Sequence, residues 1–279
     1  MNAVPYRTVL LTNGSPHALR IAEGLRARQF TLDAIVYEAP ALRSYLPRSG
    51  STLAIARALP IGVARWTRAS VRAFRASRVY APFAERFLLT GPLNSDKMRG
   101  DLASLRPDFI VLGGTGILKR PTIELAAQGV LNAHPGLLPW VRGTGVVGRA
   151  IQMGIPVGCT CHYVNAGVDR GRIVERRLLY VDDATGSLAE LEHRADLLAA
   201  EMMVDIVARL LESGEPPGAV EQSEKYPLST WLTPAERLAV DEQVKRGRAR
   251  ELFELWRPAT TGGERYALPP DFQFPGYAP

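Results

Sequence analysis

Leu131-Asn132-Ala133-His134-Pro135-Gly136-Leu137-Leu138-Pro139, followed further on by His162-Tyr163-Val164-Asn165-Ala166-Gly167-Val168-Asp169-Arg170-Gly171, is the stretch around which the chain is organised. Asn132 and His134 stand two apart in an extended run, so both side chains leave the same side of the backbone. Pro135 biases His134 away from helical dihedrals and keeps the pair extended. A carboxamide, an imidazole and, one strand later, the carboxylate of Asp169 suit acyl transfer. The carboxamide donates to an oxyanion, the imidazole gives or takes a proton, and the carboxylate tunes it.

The residues before this stretch read as α/β. Thr8 to Thr12 is a short apolar strand, and Asn13-Gly14-Ser15-Pro16 turns it into a helix that Ser15 caps and Pro16 starts. Thr31 to Tyr37 is a second strand, completing a βαβ unit whose first turn faces the edge where α/β ligands bind. Ser51–Leu59 and Trp66–Tyr80 read as two helices and Arg86–Thr90 as a short strand. A helix from Ser95 to Leu105 precedes the continuous apolar run Phe109 to Leu112, a buried parallel strand. Gly113 to Leu118 is flexible enough to let backbone approach a flat ligand, but its spacing is not that of a nucleotide loop. Thr122 to Ala127 is expected to be helical, and Gly129 to His134 is the next strand. Arg142 to Gly145 reads as a mobile loop before a helix at Val146–Met153, and Val157–Val164 with Arg172–Tyr180 as a hairpin. Ser187 to Glu190 is a capping box opening a long amphipathic helix through Leu210, with His193 off its apolar stripe. Thr233 to Glu236 is another capping box, on a helix that breaks near Gly247. The Pro-rich, aromatic end from Ala267 to Pro279 is expected to drape on the domain or on a partner.

Asn132-x-His134-Pro135-x-Leu137-Leu138-Pro139, then Gly158-x-Thr160-x-His162, then Asp169-x-Gly171-x-Ile173, together resemble the folate-dependent formyltransferase family. That family comprises glycinamide ribonucleotide, methionyl-tRNA and sugar-amine formyltransferases and formyltetrahydrofolate hydrolases. The resemblance is clear over residues 108–180, weaker over 7–40, poor over 41–100 and absent after about 215. It implies a Rossmann-like, mostly parallel sheet flanked by helices, with a catalytic domain over 1–213 and a small helical or irregular extension over 214–279. It implies 10-formyltetrahydrofolate as formyl donor, with Asn132, His134 and Asp169 catalytic. Thr115, Gly116, Ile117 and Leu118, with Asn165, Ala166 and Gly167, would hold the pterin. Asn13, Gly14 and Ser15 would contact the acceptor, since the corresponding turn holds the substrate phosphate in glycinamide ribonucleotide formyltransferases. Gly136 departs from the family's frequent Ser and removes one hydroxyl from the loop. His162 lies in the motif with a structural and a catalytic role both open.

Composition bounds the rest. A chain of 279 residues that is 46% apolar and 22% charged is long enough for one large domain or a domain with an appendage. No apolar run reaches bilayer length, and the first residues lack a secretory pattern, so a cytoplasmic protein is expected. Cys159 and Cys161, two apart on one strand, suit neither a disulfide nor a zinc site and read as buried packing residues; no metal is expected. The net charge of +6 is concentrated between Ala39 and Ala84, which hold no acid but include Arg43, Arg48, Arg57, Arg65, Arg68, Arg72, Arg75 and Arg78. Arg65, Arg68, Arg72 and Arg75 fall at helical spacing, as a solvated face, a site for an anionic substrate group, or a nucleic-acid contact. The tail lacks the alternating strands of the β-barrel by which methionyl-tRNA formyltransferases bind tRNA, which argues against nucleic acid. The expected function is formyl transfer to an amine or hydroxylamine of a small molecule, such as a nucleotide-linked amino sugar or a hydroxyornithine-like precursor. A formyltetrahydrofolate hydrolase and a non-catalytic folate-binding relative are the alternatives. The tail and the basic helix each offer a surface for a homodimer.

Overall fold

The fold is that of a computed structural model, which describes residues 6–38, 52–222, 226–257, 266–269, 272 and 274. It divides into two units, Met1–Val130 and Leu131–Pro279. The expected class, α/β with a mostly parallel central sheet flanked by helices, is the class observed, and the antiparallel pairs of that sheet lie in the second unit.

The first unit holds β1 (Thr8–Thr12), α1 (Pro16–Ala27), β2 (Leu32–Glu38), α2 (Thr52–Tyr80), β3 (Ala84–Thr90), α3 (Asp96–Leu105), β4 (Phe109–Gly113) and α4 (Arg120–Ile123). Its strands run parallel in the order β4-β1-β2-β3, with Leu10 beside both Ile35 and Val111. β1 and β4 are buried at every position, as continuous apolar runs require. α1 starts where the sequence reading puts it. Ser15 Oγ accepts from Ala18 N, Pro16 fills the first turn, and Ala18, Ile21, Ala22 and Leu25 form the buried stripe.

Two expectations fail in this unit. The two helices read over 51–59 and 66–80 are one helix of 29 residues that runs through Pro60. The buried positions Gly62, Ala73, Ala76 and Tyr80, with half-buried Trp66, make one stripe along the part that follows Pro60. Arg43 and Arg48 lie outside the described residues, and Arg65, Arg68, Arg72, Arg75 and Arg78 are exposed. The helix expected at 122–127 is only Arg120–Ile123. It stops because Ala127 N and Gln128 N donate instead to Pro107 O and Asp108 O.

The second unit receives β5 (Gly129–His134) and adds β6 (Arg142–Gly143), α5 (Val146–Met153), β7 (Gly158–Tyr163), β8 (Ile173–Leu178), α6 (Leu188–Ser213), β9 (Leu228–Ser229), α7 (Pro234–Lys245), α8 (Arg248–Trp256) and β10 (Ala267–Leu268). β5, β7, β8 and β10 pair antiparallel in that order, and α6 packs on β7. Arg142–Gly143, expected as a mobile loop, instead pairs in parallel with Leu228–Ser229, and Arg142 is buried. At Ser187 only half of the capping box forms, because Glu190 turns its carboxylate to Gly186 N; at Thr233 the box is complete. Gly247, in the left-handed region, breaks α7 from α8. The described tail residues pack on this unit. Leu268 pairs with Arg176, and Phe274 is buried edge-on to Trp140, 4.6 Å between ring centres.

Both cysteines are buried and unbridged on β7. Beneath β8, Arg177 and Asp205 form an ion pair at 2.6 Å with side chains 3% and 2% exposed. Removing Asp205 leaves the buried guanidinium with Glu175, 2.5 Å away and 17% exposed, as its remaining partner. Asp205→Ala is expected to lower unfolding stability by about 1–3 kcal/mol in urea denaturation, whereas a loss within about 0.5 kcal/mol would contradict this reading of the core.

Candidate active site

β5 delivers Asn132 and His134, and β7 lies directly against it, pairing Asn132 with His162 and His134 with Thr160. Opposed residues of an antiparallel pair share one face, so these side chains meet. Asn132 Nδ2 lies 3.2 Å from His162 Nε2, and His162 Nδ1 lies 2.8 Å from Tyr163 O. A carbonyl can only accept, so Nδ1 carries the hydrogen and Nε2 presents its lone pair to Asn132. That bond fixes which way the carboxamide faces and leaves its second N–H for another acceptor. Burial pushes the His162 pKa down to about 4, outweighing the pull of Asp169 in the other direction. The imidazole is therefore neutral, as its role of acceptor requires.

His134, 5% exposed, donates from Nε2 to Val141 O at 3.0 Å and turns Nδ1 toward Asp169 Oδ2 at 3.7 Å. Asp169 Oδ1 is also 3.7 Å from His162 Nε2. The carboxylate thus sits between two imidazoles whose rings are nearly perpendicular. Both gaps exceed a hydrogen bond.

Asp169 occupies the left-handed region at φ 50°, a conformation that costs a non-glycine residue about 1–3 kcal/mol. Four contacts hold it there. Gly143 N donates to Oδ2 at 2.9 Å, and Arg142 Nη2 to Val168 O at 2.7 Å. Gln222 Nε2 donates to Asp169 O and to Gly171 O. The Asp-x-Gly spacing has its own cause: a Cβ on Gly171 would lie 1.6 Å from Tyr163 O. A bulge between Cys161 and His162 shifts the register just where His162 must reach Asn132. Below the site, Thr160 Oγ1 accepts from Leu138 N and donates to Gly136 O, fixing the loop after His134. That loop approaches the ring so closely that a Cβ at Gly136 would meet His134 Nε2 at 2.8 Å. The serine frequent in the family does not fit this arrangement.

Of the residues singled out in the sequence, Asn132, His134 and Asp169 come together. Asn165, Ala166 and Gly167 lie on the same β7–β8 connection, with Asn165 accepting from Gly167 N and donating to Arg170 O. Thr115–Leu118 and Asn13–Ser15 belong to the first unit. There Ile117 is 67% exposed, and Asn94 spans the loop, donating to Ile117 O and accepting from Lys119 N. Sequence reasoning missed Arg142, Gln222 and Asn94. Gly91-Pro92-Leu93-Asn94 carried a turn signal, but nothing local marked the other two.

The profile of the formyl transferase family matches residues 68–207. The chain is 35% identical over 127 residues to a methionyl-tRNA formyltransferase of Aromatoleum aromaticum, covering 44% of this chain and 39% of that protein. To the methionyl-tRNA formyltransferase of Paramagnetospirillum magneticum it is 32% identical over 168 residues, 59% of this chain and 52% of that one. The match thus spans about half or less of these relatives' length. Among solved structures, a 4-N formyltransferase from Francisella tularensis shares the fold at TM-score 0.53 and 14% identity, covering 84% of this chain and 86% of that one. The formyltransferase PseJ from Anoxybacillus kamchatkensis, solved with UDP-4,6-dideoxy-4-formamido-L-AltNAc and tetrahydrofolate, does so at 0.51 and 16%, covering 87% and 99%. An α/β chain with Asn132 and His134 on one strand and Asp169 in the turn after the next, matched by this profile over half its length, belongs to the formyl transferase family. Among the described residues no group of three His, Cys, Asp or Glu could hold a metal, and no helix is long and apolar enough to cross a membrane.

The neutral His162 has a consequence for stability. Its folded pKa of about 4 lies below the ordinary 6.5, so its contribution is complete above pH 6.5 and is lost as pH falls toward 4. His162→Gln removes that titration. The stability difference between wild type and variant should shrink as pH drops from 6.5 to 4 in thermal unfolding, and a pH-independent difference would count against a buried neutral ring.

Proposed function

We propose that this chain is an N-formyltransferase that moves a formyl group from 10-formyltetrahydrofolate to a primary amine or hydroxylamine of a small molecule. A nucleotide-linked amino sugar and a hydroxyornithine-like precursor are the acceptor types it suits. The observation that carries the reading is the Asn132 carboxamide, oriented by a neutral His162 and left with a free N–H beside His134 and Asp169. Family membership and the fold shared with the 4-N formyltransferase and with PseJ, solved with a UDP-linked formamido sugar and tetrahydrofolate, support it.

The neutral amine attacks the formyl carbon; a C–N bond forms and the carbonyl electron pair moves to oxygen. Asn132 donates to that oxyanion. The proton shed by the attacking nitrogen passes through Asp169, His134 Nδ1 or a water to N10 of the folate. The bond to N10 then breaks, releasing tetrahydrofolate and leaving the formyl group on the acceptor. His134 Nε2 is engaged by Val141 O, so its part is that of proton carrier at Nδ1. Thr115–Leu118 and Asn165–Gly167 take the pterin, and Asn13–Ser15 meet the acceptor. Residues 1–213 form the catalytic domain in this reading, and the extension 214–279 contributes Gln222 to the hold on Asp169.

The test is tetrahydrofolate release by purified protein, with and without a panel of amino sugars on nucleotides, ornithine derivatives and glycinamide ribonucleotide. Release that requires one amine is expected; release without any would make the chain a hydrolase. Loss of one oxyanion donor costs about two to three powers of ten in rate. Asn132→Ala is expected to show that loss in kcat with an unchanged circular dichroism spectrum, and near-normal turnover would sink the assignment.

A further inference from the structure

The chain that follows α6 returns across the turn that carries Asp169 and is joined to its surroundings at three places, all within the second unit. Tyr163 OH donates to Pro217 O at 3.1 Å. Val220 and Ile173 exchange both backbone hydrogen bonds at 2.8 Å. Leu228–Ser229 pair with Arg142–Gly143. The described parts of this returning chain, 217–222 and 226–229, lie beyond residue 207, where the match to the family profile ends. Half-buried Gln222 stands between the second join and the third.

The turn is held through its carbonyls. Those of residues 168–172 accept in succession from Arg142 Nη2, Gln222 Nε2, Asn165 Nδ2, Gln222 Nε2 again and Tyr163 N. Asn165 and Tyr163 belong to the β7–β8 hairpin, whereas Arg142 and Gln222 reach it from elsewhere in the chain. One amide thus spans Asp169 O at 3.0 Å and Gly171 O at 2.5 Å, the carbonyls on either side of that of Arg170. A carbonyl only accepts, so the side chain presents its NH2 end and both hydrogens are used. Gln222 Oε1 is left buried with no hydrogen-bond partner among the described residues. An unmet buried acceptor is costly, and an apolar side chain of the same length would avoid it. The donation accounts for the glutamine, and it falls on the one residue of the turn that stands at positive φ.

We propose that Gln222 is a positioning residue for the transfer reaction: by bridging the carbonyls of Asp169 and Gly171 it keeps the turn wound with the Asp169 carboxylate facing His134 and His162. The proposal rests on the formyl-transfer reading above and makes its proton-transfer step depend on the segment after α6. Gln222 touches no reacting atom. Without its donor, Asp169 relaxes from the left-handed region toward ordinary backbone angles, and the carboxylate, 3.7 Å from each imidazole, turns away from both. Asn165–Gly167 are closed by their own bond, from Gly167 N to Asn165 Oδ1, so folate binding does not depend on this hold. The loss therefore falls on kcat and not on KM. Arg142 serves the same hold, with one guanidinium nitrogen on Val168 O and the other on Tyr226 O, tying the turn to the returning chain.

Gln222→Met keeps the length of the side chain and removes the donor. In steady-state kinetics of the full chain, with the amine that supports tetrahydrofolate release, kcat is expected to fall about tenfold with both KM values unchanged. Gln222→Glu keeps the shape but sets a carboxylate against two carbonyls. Its kcat should lie below that of Gln222→Met in mildly alkaline buffer and climb as pH falls, because a protonated carboxyl regains a donor. His134, His162, Asp169, Arg142, Arg170 and Arg172 are the charged and titratable groups around the turn, and all are present in wild type. A limb of the pH profile confined to Gln222→Glu therefore belongs to the new carboxyl. Glu221→Ala, at an exposed neighbour, should behave as wild type. Nitrogen-15 NMR of histidine-labelled protein reads the hold without turnover: the His134 and His162 signals should shift in Gln222→Met, with His17 and His193 as unmoved references. If no amine supports transfer, that shift still decides the hold on Asp169, so the two failures are distinguishable. Unshifted rings, a wild-type kcat, or a raised KM at constant kcat in Gln222→Met each overturns the proposal. If Gln222→Met does not fold, the pH limb of Gln222→Glu decides, and its absence overturns it.

Discussion

One carboxylate, held in a conformation its own backbone resists, sets the geometry of the second unit. Asp169 sits at positive φ because Gly143 N, the Arg142 guanidinium on Val168 O and the Gln222 amide on its own carbonyl leave it no other place. Each of those groups depends on something further off. Arg142 is fixed by pairing of β6 with β9 and by its bond to Tyr226 O. Gln222 comes from the chain beyond α6. Residues that look like an appendage in the sequence thus form part of the clamp on the site. Local strain of this kind persists only where surrounding contacts over-determine it.

The second constraint is electrostatic. A buried imidazole between a carboxamide and a carbonyl is stable here only when neutral, and only a neutral ring can accept from Asn132. Placing Asp169 3.7 Å away tends to charge the ring, and burial opposes it. Burial wins, and in the proposed reaction the carboxylate then serves His134 and the proton in transit. In that reaction a donor aimed in advance needs no reorganisation, the condition under which such groups are worth most.

Much of this could be read from the chain because the signals are local. Alternation put Asn132 and His134 on one face, Pro135 kept them extended, and Ser15-Pro16 and Thr233-Pro234 announced helix starts through chemistry contained within four residues. The features that escaped depend on distant partners. The chain around Pro60 read as a gap between two helices, and the folded backbone carries one helix through it. Arg142 in a glycine-rich segment resembled a loose loop until Val168, Tyr226 and β9 supplied its partners. The role of His162 lay between two readings, since cross-strand register decides it and register is a property of the folded sheet.

The account rests on His162 being a neutral ring protonated at Nδ1, because that state alone aims the Asn132 carboxamide. Nitrogen-15 NMR of histidine-labelled protein reports ring charge and tautomer directly. The prediction is a neutral ring with the hydrogen on Nδ1 at pH 7, keeping that form well below the ordinary histidine range. An imidazolium, or a ring protonated at Nε2, at pH 7 would contradict it and leave Asn132 without its guide.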